Sequence, residues 1–303
     1  MKVLVTGGTG FIGSHITDLL AQLGYQVIVV DNLSQSNLSH LNRKARFYKL
    51  DITDSSLYAV LAREKPDVII HQAAQVNVHQ SVKDPISDVR TNILGTLNLL
   101  NGAVKLGIKK MIYASTCAVY GEPQTDPIDE THPVNPSSGY GLSKWTGECY
   151  IRLYHQMHGL SYTILRYANV YGPRQGVYGE GGVVSIFNKQ LKNGSPAVIY
   201  GDGTQTRDFV YVKDVARANV QALAKGDQDT FNIGTGQAVS ILELYQLMEE
   251  LIQVKRPPKH ADARPGDIRH SRLDNQKAKL LLDWSPSYTL REGLKETLGI
   301  VKA

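Results

Sequence analysis

Val3-Leu4-Val5-Thr6-Gly7-Gly8-Thr9-Gly10-Phe11-Ile12-Gly13 is the stretch on which the reading of the fold turns. Three apolar residues make a short strand, Gly7, Gly10 and Gly13 permit a tight turn, and Ser14 to Leu23 continues with helical spacing. Glycines so placed let a backbone approach a pyrophosphate and let a helix pack closely on its strand, while the helix N-terminus favours phosphate charge. Gly24 supplies a C-cap. A second apolar run, Gln26 to Val30, closes on Asp31, at the spacing of about 20 residues expected of an acid that binds an adenosine ribose. Its carboxylate would repel a 2′-phosphate, and the next residue is Asn32 rather than an arginine, so the pattern favours NAD over NADP.

Outward from this unit, strand-like runs recur at Arg46 to Leu50, Val68 to His71, Lys110 to Ser115 and Tyr162 to Arg166, with helix-like segments between them. Such alternation predicts an α/β fold, a Rossmann-type doubly wound parallel sheet covered on both faces. Binding residues of these sheets sit at strand ends. Here those ends carry Asp51-Ile52, then Gln72-Ala73-Ala74-Gln75, then Ser115-Thr116, and the small alanines leave room for a cofactor. The stretch from Pro85 to Leu106 is helical in pattern; spacing alone leaves its Asn92 either solvent-facing or turned inward.

Tyr140 and Lys144 lie four apart in a helix-like stretch and so share a face. A free tyrosine, with pKa near about 10, is a poor base at neutral pH. A neighbouring ammonium, or a positively charged nicotinamide, favours the phenolate and lets the phenol exchange a proton with a substrate hydroxyl. The spacing by itself also describes an ordinary surface pair. Joined to the glycine-rich unit, it points to a redox site.

The 303 residues suffice for one large domain or two modest ones. A net charge of +5 comes without any basic run or basic-aromatic interleaving, which argues against nucleic acid and leaves a small anionic ligand. No apolar run reaches about 18 residues and the N-terminus lacks the form of a cleavable signal, so no membrane partner and a cytoplasmic location are expected. Two cysteines, Cys117 and Cys149, suit a reducing compartment, and no metal-ligand grouping is evident among the nine histidines. After Arg166 glycine and proline become frequent and the strand-helix alternation fades. A dinucleotide-binding domain over 1–166 and a smaller C-terminal α/β substrate-binding domain over 167–303 are expected, interdigitated where 207–224 packs back on the first. Arg174, Arg207 and Arg264 are candidate permanently charged donors for a diphosphate.

The set of motifs resembles the extended short-chain dehydrogenase/reductases, and within them the UDP-glucose 4-epimerase family. It comprises Thr6-Gly7-x-x-Gly10-x-x-Gly13, His71-Gln72-Ala73-Ala74, Ser115-Thr116-x-x-Val119-Tyr120-Gly121, Tyr140-Gly141-x-Ser143-Lys144, Leu165-Arg166-Tyr167-x-Asn169-Val170-Tyr171-Gly172-Pro173-Arg174, Arg207-Asp208 and Arg264-Pro265-Gly266-Asp267. The resemblance runs from Met1 to about Trp284. It implies Thr116, Tyr140 and Lys144 as catalytic residues, and NAD held by Gly7, Gly10, Phe11, Ile12, Gly13, Asp31, Asn32, Ser36, Asp51, Ile52, Gln72 to Gln75, Asn92, Ser115, Tyr140, Lys144 and Tyr167. It places a nucleotide sugar against Thr116, Asn169, Val183, Val184, Ile199, Tyr200, Arg207, Arg264, Asp267 and Ser271. The implied reaction is oxidation of a UDP-hexose at C4, turning of the 4-keto sugar, and return of the hydrogen to the opposite face.

Departures within the family refine the expectation. Cys117-Ala118 follows the threonine where dehydratases resemble Thr-Asp-Glu and decarboxylases carry a glutamate; Ala118 can act neither as acid nor as base. Gln175-Gly176 stands where uronate-using relatives often have another arginine, which favours a neutral sugar. Ser271 aligns with a gate residue whose small size admits an N-acetyl group. Relatives dimerise through two helices, here near Asn92 to Lys105 and Ser143 to His158. The competing expectations are another nucleotide-sugar enzyme of the superfamily, or a non-catalytic NAD-binding sensor, against which the intact Thr116, Tyr140 and Lys144 speak.

Overall fold

The computed structural model describes residues 1–176, 182–263 and 268–301. Its strands are β1 (Lys2–Thr6), β2 (Gln26–Asp31), β3 (Arg46–Lys49), β4 (Val68–His71), β5 (Lys110–Thr116), β6 (Ser161–Tyr167), β7 (Asn169–Tyr171), β8 (Val198–Tyr200), β9 (Thr206–Arg207), β10 (Phe209–Tyr211), β11 (Asp229–Ile233), β12 (Val239–Ser240) and β13 (Lys259–Ala261). Seven of them form one sheet in the order β11-β6-β5-β4-β1-β2-β3, and all its pairings are parallel.

A pleated strand sends alternate side chains to opposite faces, and a sheet covered by helices on both sides buries both sets. Val3 and Val5 of β1, with Val27, Val29 and Ile70, pack on one face against Ile16 and Leu20 of the helix Phe11–Gln22. Leu4, Ile28 and Ile69 face the other way, against Leu61, Leu99 and Leu100 of the helices Leu57–Glu64 and Gly95–Leu106. Each of these fully buried aliphatic side chains contributes about 1.5–3 kcal/mol relative to exposure. A third apolar cluster, around Phe187, Ile199, Tyr211, Leu244, Tyr245 and Leu294, holds the C-terminal region together.

The chain does not divide in simple succession. β11 pairs with β6 as the edge of the main sheet, Asp229 opposite Thr163, and the helix Val212–Gln221 packs against the helix Phe11–Gln22. The helical pattern from Pro85 to Leu106 is interrupted by a π-helical turn, Arg90–Leu94, between the helices Pro85–Val89 and Gly95–Leu106. The Arg207-to-Tyr211 stretch breaks at Asp208 into β9 and β10. Among the described residues no helix is long and apolar enough to cross a membrane.

Candidate active site

The glycine turn is fixed by close approaches. Gly7 has φ +68°, and a Cβ there would stand 2.7 Å from the Ala73 nitrogen; a Cβ on Gly13 would stand 2.1 Å from the Gly7 carbonyl oxygen. Gly10 caps the helix Phe11–Gln22 without a side-chain hydrogen bond, so its first N–H groups are open to an anion. Phe11 and Ile12 pack their side chains into apolar clusters, leaving main chain to face the turn.

Asp31, 6% exposed, organises the floor of this groove. Its carboxylate accepts from the Thr9 and Leu33 amides at 3.1 and 2.9 Å and from the Ser36 hydroxyl at 2.7 Å. Asn32 Nδ2 donates to Asp51 at 2.7 Å. Burial raises the Asp51 carboxyl, but hydrogen bonds from Thr53 and Asn32 outweigh it and hold the group below its ordinary value. Asp31, Asn32, Ser36 and Asp51 line one groove together with Gly7, Gly10, Ile52, Gln72, Ala73 and Ala74.

At the ends of β1 and β4 the polar groups form a defined chain. Ala73 N–H donates to Thr6 Oγ (3.2 Å), which is 2.8 Å from His71 Nδ1; His71 Nε2 is 3.0 Å from Thr96 Oγ, and Thr96 donates to the Asn92 carbonyl at 2.6 Å. Because Thr96 spends its proton on Asn92, the network assigns the imidazole proton to Nε2. Burial, aided by the charge of Lys144, holds His71 neutral, well below its ordinary pKa. Asn92 is itself 2% exposed: its amide donates to the Gln75 carbonyl, Asp88 and Ser143 and its oxygen accepts from the Gln75 amide. Its place is beneath the Gln72-to-Gln75 loop. Gln72 Nε2 in turn donates to the Tyr167 hydroxyl and to Asn219, and burial pushes the Tyr167 phenol up to about 12.

Tyr140 and Lys144 open the helix Gly139–His158, which Ser138 caps through the Gly141 amide at 3.0 Å. A Cβ on Gly141 would stand 2.7 Å from the Ala118 carbonyl oxygen, so the absent side chain lets the start of this helix close on the turn Cys117–Val119 that follows Thr116. The Tyr140 amide donates to Ser81 Oγ at 2.9 Å. Lys144 is 3% exposed. Burial lowers its pKa to about 7 against the opposing charges of Glu148 and Asp88. Ser115 points to the opposite face from Thr116, its hydroxyl donating to Glu148 at 2.6 Å, and Glu148 is held by Arg166 at 2.9 and 2.7 Å. The Ser115 side chain is thereby engaged within the scaffold.

On the other side of Thr116, burial pushes the pKa of the Cys117 thiol up, and Arg207, Ser271 and Thr116 lie close enough to oppose that shift. Thr116, Arg207 and Ser271 are thus brought together around one thiol. Arg207 is steered by its bond to the Thr206 carbonyl at 2.8 Å. Asn169 is anchored next to it, its backbone N–H donating to the Asp208 carbonyl at 2.9 Å. Val184 and Ile199 turn their side chains into the third cluster, with Val183 packed on its margin, and Tyr200 is 38% exposed. Arg174 is committed to Asp18 at 2.7 Å. Arg264 and Asp267 lie outside the described residues. Sequence reading missed Ser81, Tyr113, Thr96 and Glu148, all of which touch or support the residues above; only their depth distinguishes them from ordinary polar positions.

The profile of the NAD dependent epimerase/dehydratase family matches residues 3–234. The chain belongs to this family. A UDP-glucose 4-epimerase of Mycolicibacterium smegmatis is 41% identical over 305 residues, 98% of this chain and 97% of that protein. The Thermotoga maritima UDP-glucose 4-epimerase crystallised with UDP-glucose superposes with a TM-score of 0.97 at 46% identity, covering 99% of this chain and 98% of that one. The Thermus thermophilus UDP-glucose 4-epimerase complexed with NAD gives 0.94 at 39%, with the same coverage.

A member of this NAD-dependent family must hold a dinucleotide, and the residues present fit one. Any side chain at Gly7 or Gly13 would collide with backbone, the helix N-terminus is open to a pyrophosphate, and the buried Asp31 closes the groove where an adenosine ribose would end.

Proposed function

We propose that the protein interconverts UDP-galactose and UDP-glucose by NAD-dependent epimerisation at C4. The observation that carries this reading is the buried Lys144 one helical turn from Tyr140, on a helix that closes against the turn after Thr116. Tyr140, assisted by Thr116, takes the proton of the sugar O4, and the Lys144 ammonium favours the phenolate that does so. NAD, when bound, supplies the two-electron acceptor that takes the C4 hydrogen and gives it back. Asn169, Arg207, Arg264 and Asp267 grip the nucleotide while the 4-keto sugar turns to present its other face, so binding energy remote from C4 anchors the intermediate. Tyr140 then returns the proton to O4 with the configuration inverted.

Ala118 favours this outcome over elimination, since it stands where the dehydratase pattern has its glutamate and can act neither as acid nor as base. Ser271, a small side chain 8% exposed beside Cys117, favours acceptance of the N-acetyl sugars as well. Under this reading residues 1–166 carry the cofactor and 167–303 the nucleotide sugar, the enzyme works as a homodimer, and its free Cys117 and Cys149 suit the cytoplasm. An anomeric-proton NMR time course without added reductant tests it. UDP-galactose and UDP-N-acetylgalactosamine should each give a 4-epimer mixture, UDP-glucuronate none, and Ser271→Tyr should abolish turnover of the N-acetyl sugar alone. Inertness of UDP-galactose would sink the proposal.

A further inference from the structure

Tyr113 lies in β5, fully buried, three residues before Thr116. Its ring lies under Lys144, with Nζ 4.2 Å from the ring centroid, and its hydroxyl donates to the Lys144 carbonyl at 3.4 Å. Gly147 completes the seat: a Cβ there would stand 2.3 Å from the Tyr113 hydroxyl oxygen, so only glycine lets the ring slide beneath the helix. One side chain therefore touches both ends of the lysine.

The lysine needs such support. The groups that face it are His71 from β4, Tyr113 from β5, Asp88 from the helix Pro85–Val89, and Tyr140 and Glu148 from its own helix. His71 is held neutral, and Tyr113 cannot ionise, since burial pushes its phenol far above the ordinary value. Asp88 is already shared between Gln75 and Asn92, and Glu148 between Arg166, Arg152 and Ser115. Both carboxylates are spoken for. Beside the carboxylate of Asp88, the aromatic face is a partner that Lys144 shares with no other cation within this cluster, and a ring face attracts an ammonium most strongly where water is excluded.

We propose that Tyr113 is a positioning residue for the proton-transfer site, its ring face holding the Lys144 ammonium charged and in place under Tyr140. The proposal rests on the reading of Tyr140 as the base. Losing the ring should lower the pKa of Lys144, leave the phenolate less supported and raise the pKa of Tyr140. The size follows from a desolvated cation–π contact, about one pH unit.

The test uses the holoenzyme and two readouts, the pH profile of kcat and the tyrosinate absorbance that disappears on Tyr140→Phe. Tyr113→Phe keeps the ring and should keep the midpoint of that titration. Tyr113→Leu should move it upward by about one unit and lower kcat about tenfold on the acid side of the profile. Should Tyr113→Leu fail to fold, Gly147→Ala, which pushes on the hydroxyl and displaces the ring, decides by the same readout: an upward shift supports the proposal, an unmoved midpoint overturns it. Equal midpoints in wild type and Tyr113→Leu likewise overturn it. Absence of epimerase turnover in the wild type defeats the proposed function instead, because the Tyr140 titration still reports on Tyr113.

Discussion

Tyr140 is the position at which chemistry and binding separate most cleanly. Tyr140→Phe removes one oxygen from a half-buried ring whose backbone amide stays anchored on Ser81. We expect kcat to fall by a factor of about 10² to 10⁴, the range of a lost general base, while NAD content, measured by release on denaturation, stays at the wild-type level. A non-catalytic sensor would show no turnover to lose. The Tyr140–Lys144 pair was legible from spacing, because a helix repeat fixes which residues share a face. Depth was not legible. Spacing leaves Asn92 either solvent-facing or turned inward, and Ser115 reads as a strand-end binding residue; the structure engages both side chains in the scaffold, Asn92 with Gln75, Asp88 and Ser143, Ser115 with Glu148. A polar residue that has a buried partner far away in sequence leaves no local pattern to read.

Elements show where the sequence speaks and where it falls silent. The first helix is announced by its glycines and observed over Phe11–Gln22, but it carries a burden that its pattern conceals. His15 is buried on the packed side of this helix, with Nε2 3.0 Å from the Pro173 carbonyl, and burial, with Arg174 adding to it, lowers its pKa from 6.5 to about 4. The folded value lies below the unfolded one, so as pH falls the unfolded chain takes up its proton first. Stability from this residue is full above pH 6.5 and is lost progressively toward pH 4, by on the order of 3 kcal/mol. Urea unfolding at a series of pH values should show this slope in wild type and its loss in His15→Gln; parallel curves would refute it. The edge strand Asp229–Ile233 was invisible for a related reason. Asn232 looks wrong for a strand, yet it is buried and satisfied by Ile128, Glu130 and Tyr120 from a distant loop.

At the scale of the molecule, among the described residues, an apolar stripe lies exposed along one helix. On the helix Gly139–His158, Leu142, Leu153 and Met157 are 55, 42 and 63% exposed, and Val82, Ile86 and Leu94 on the preceding helical segments are 70, 75 and 53% exposed. Residues 142, 153 and 157 follow a helical repeat of three and four, so they share one face. Exposed apolar side chains of this kind are where the proposed homodimer would close. Leu153→Lys with Met157→Glu should convert the dimer to monomer in sedimentation at micromolar concentration, without changing the NAD content. The same helix begins with Tyr140, so a partner subunit would brace the element that carries the base.

The return of the chain to its first half has a consequence for how the protein is made. With β11 hydrogen-bonded to β6 across the gap from Asp229 to Thr163, and the helix Val212–Gln221 laid on the helix Phe11–Gln22, the glycine turn written in the first residues is finished by some of the later ones. During synthesis the emerging N-terminal half would hold a sheet with an open edge at β6 and an uncovered helix until residue 233 had cleared the ribosome. Parallel pairing over such sequence separations forms slowly and leaves strand edges exposed meanwhile. The cofactor site is therefore among the first parts encoded and among the last completed.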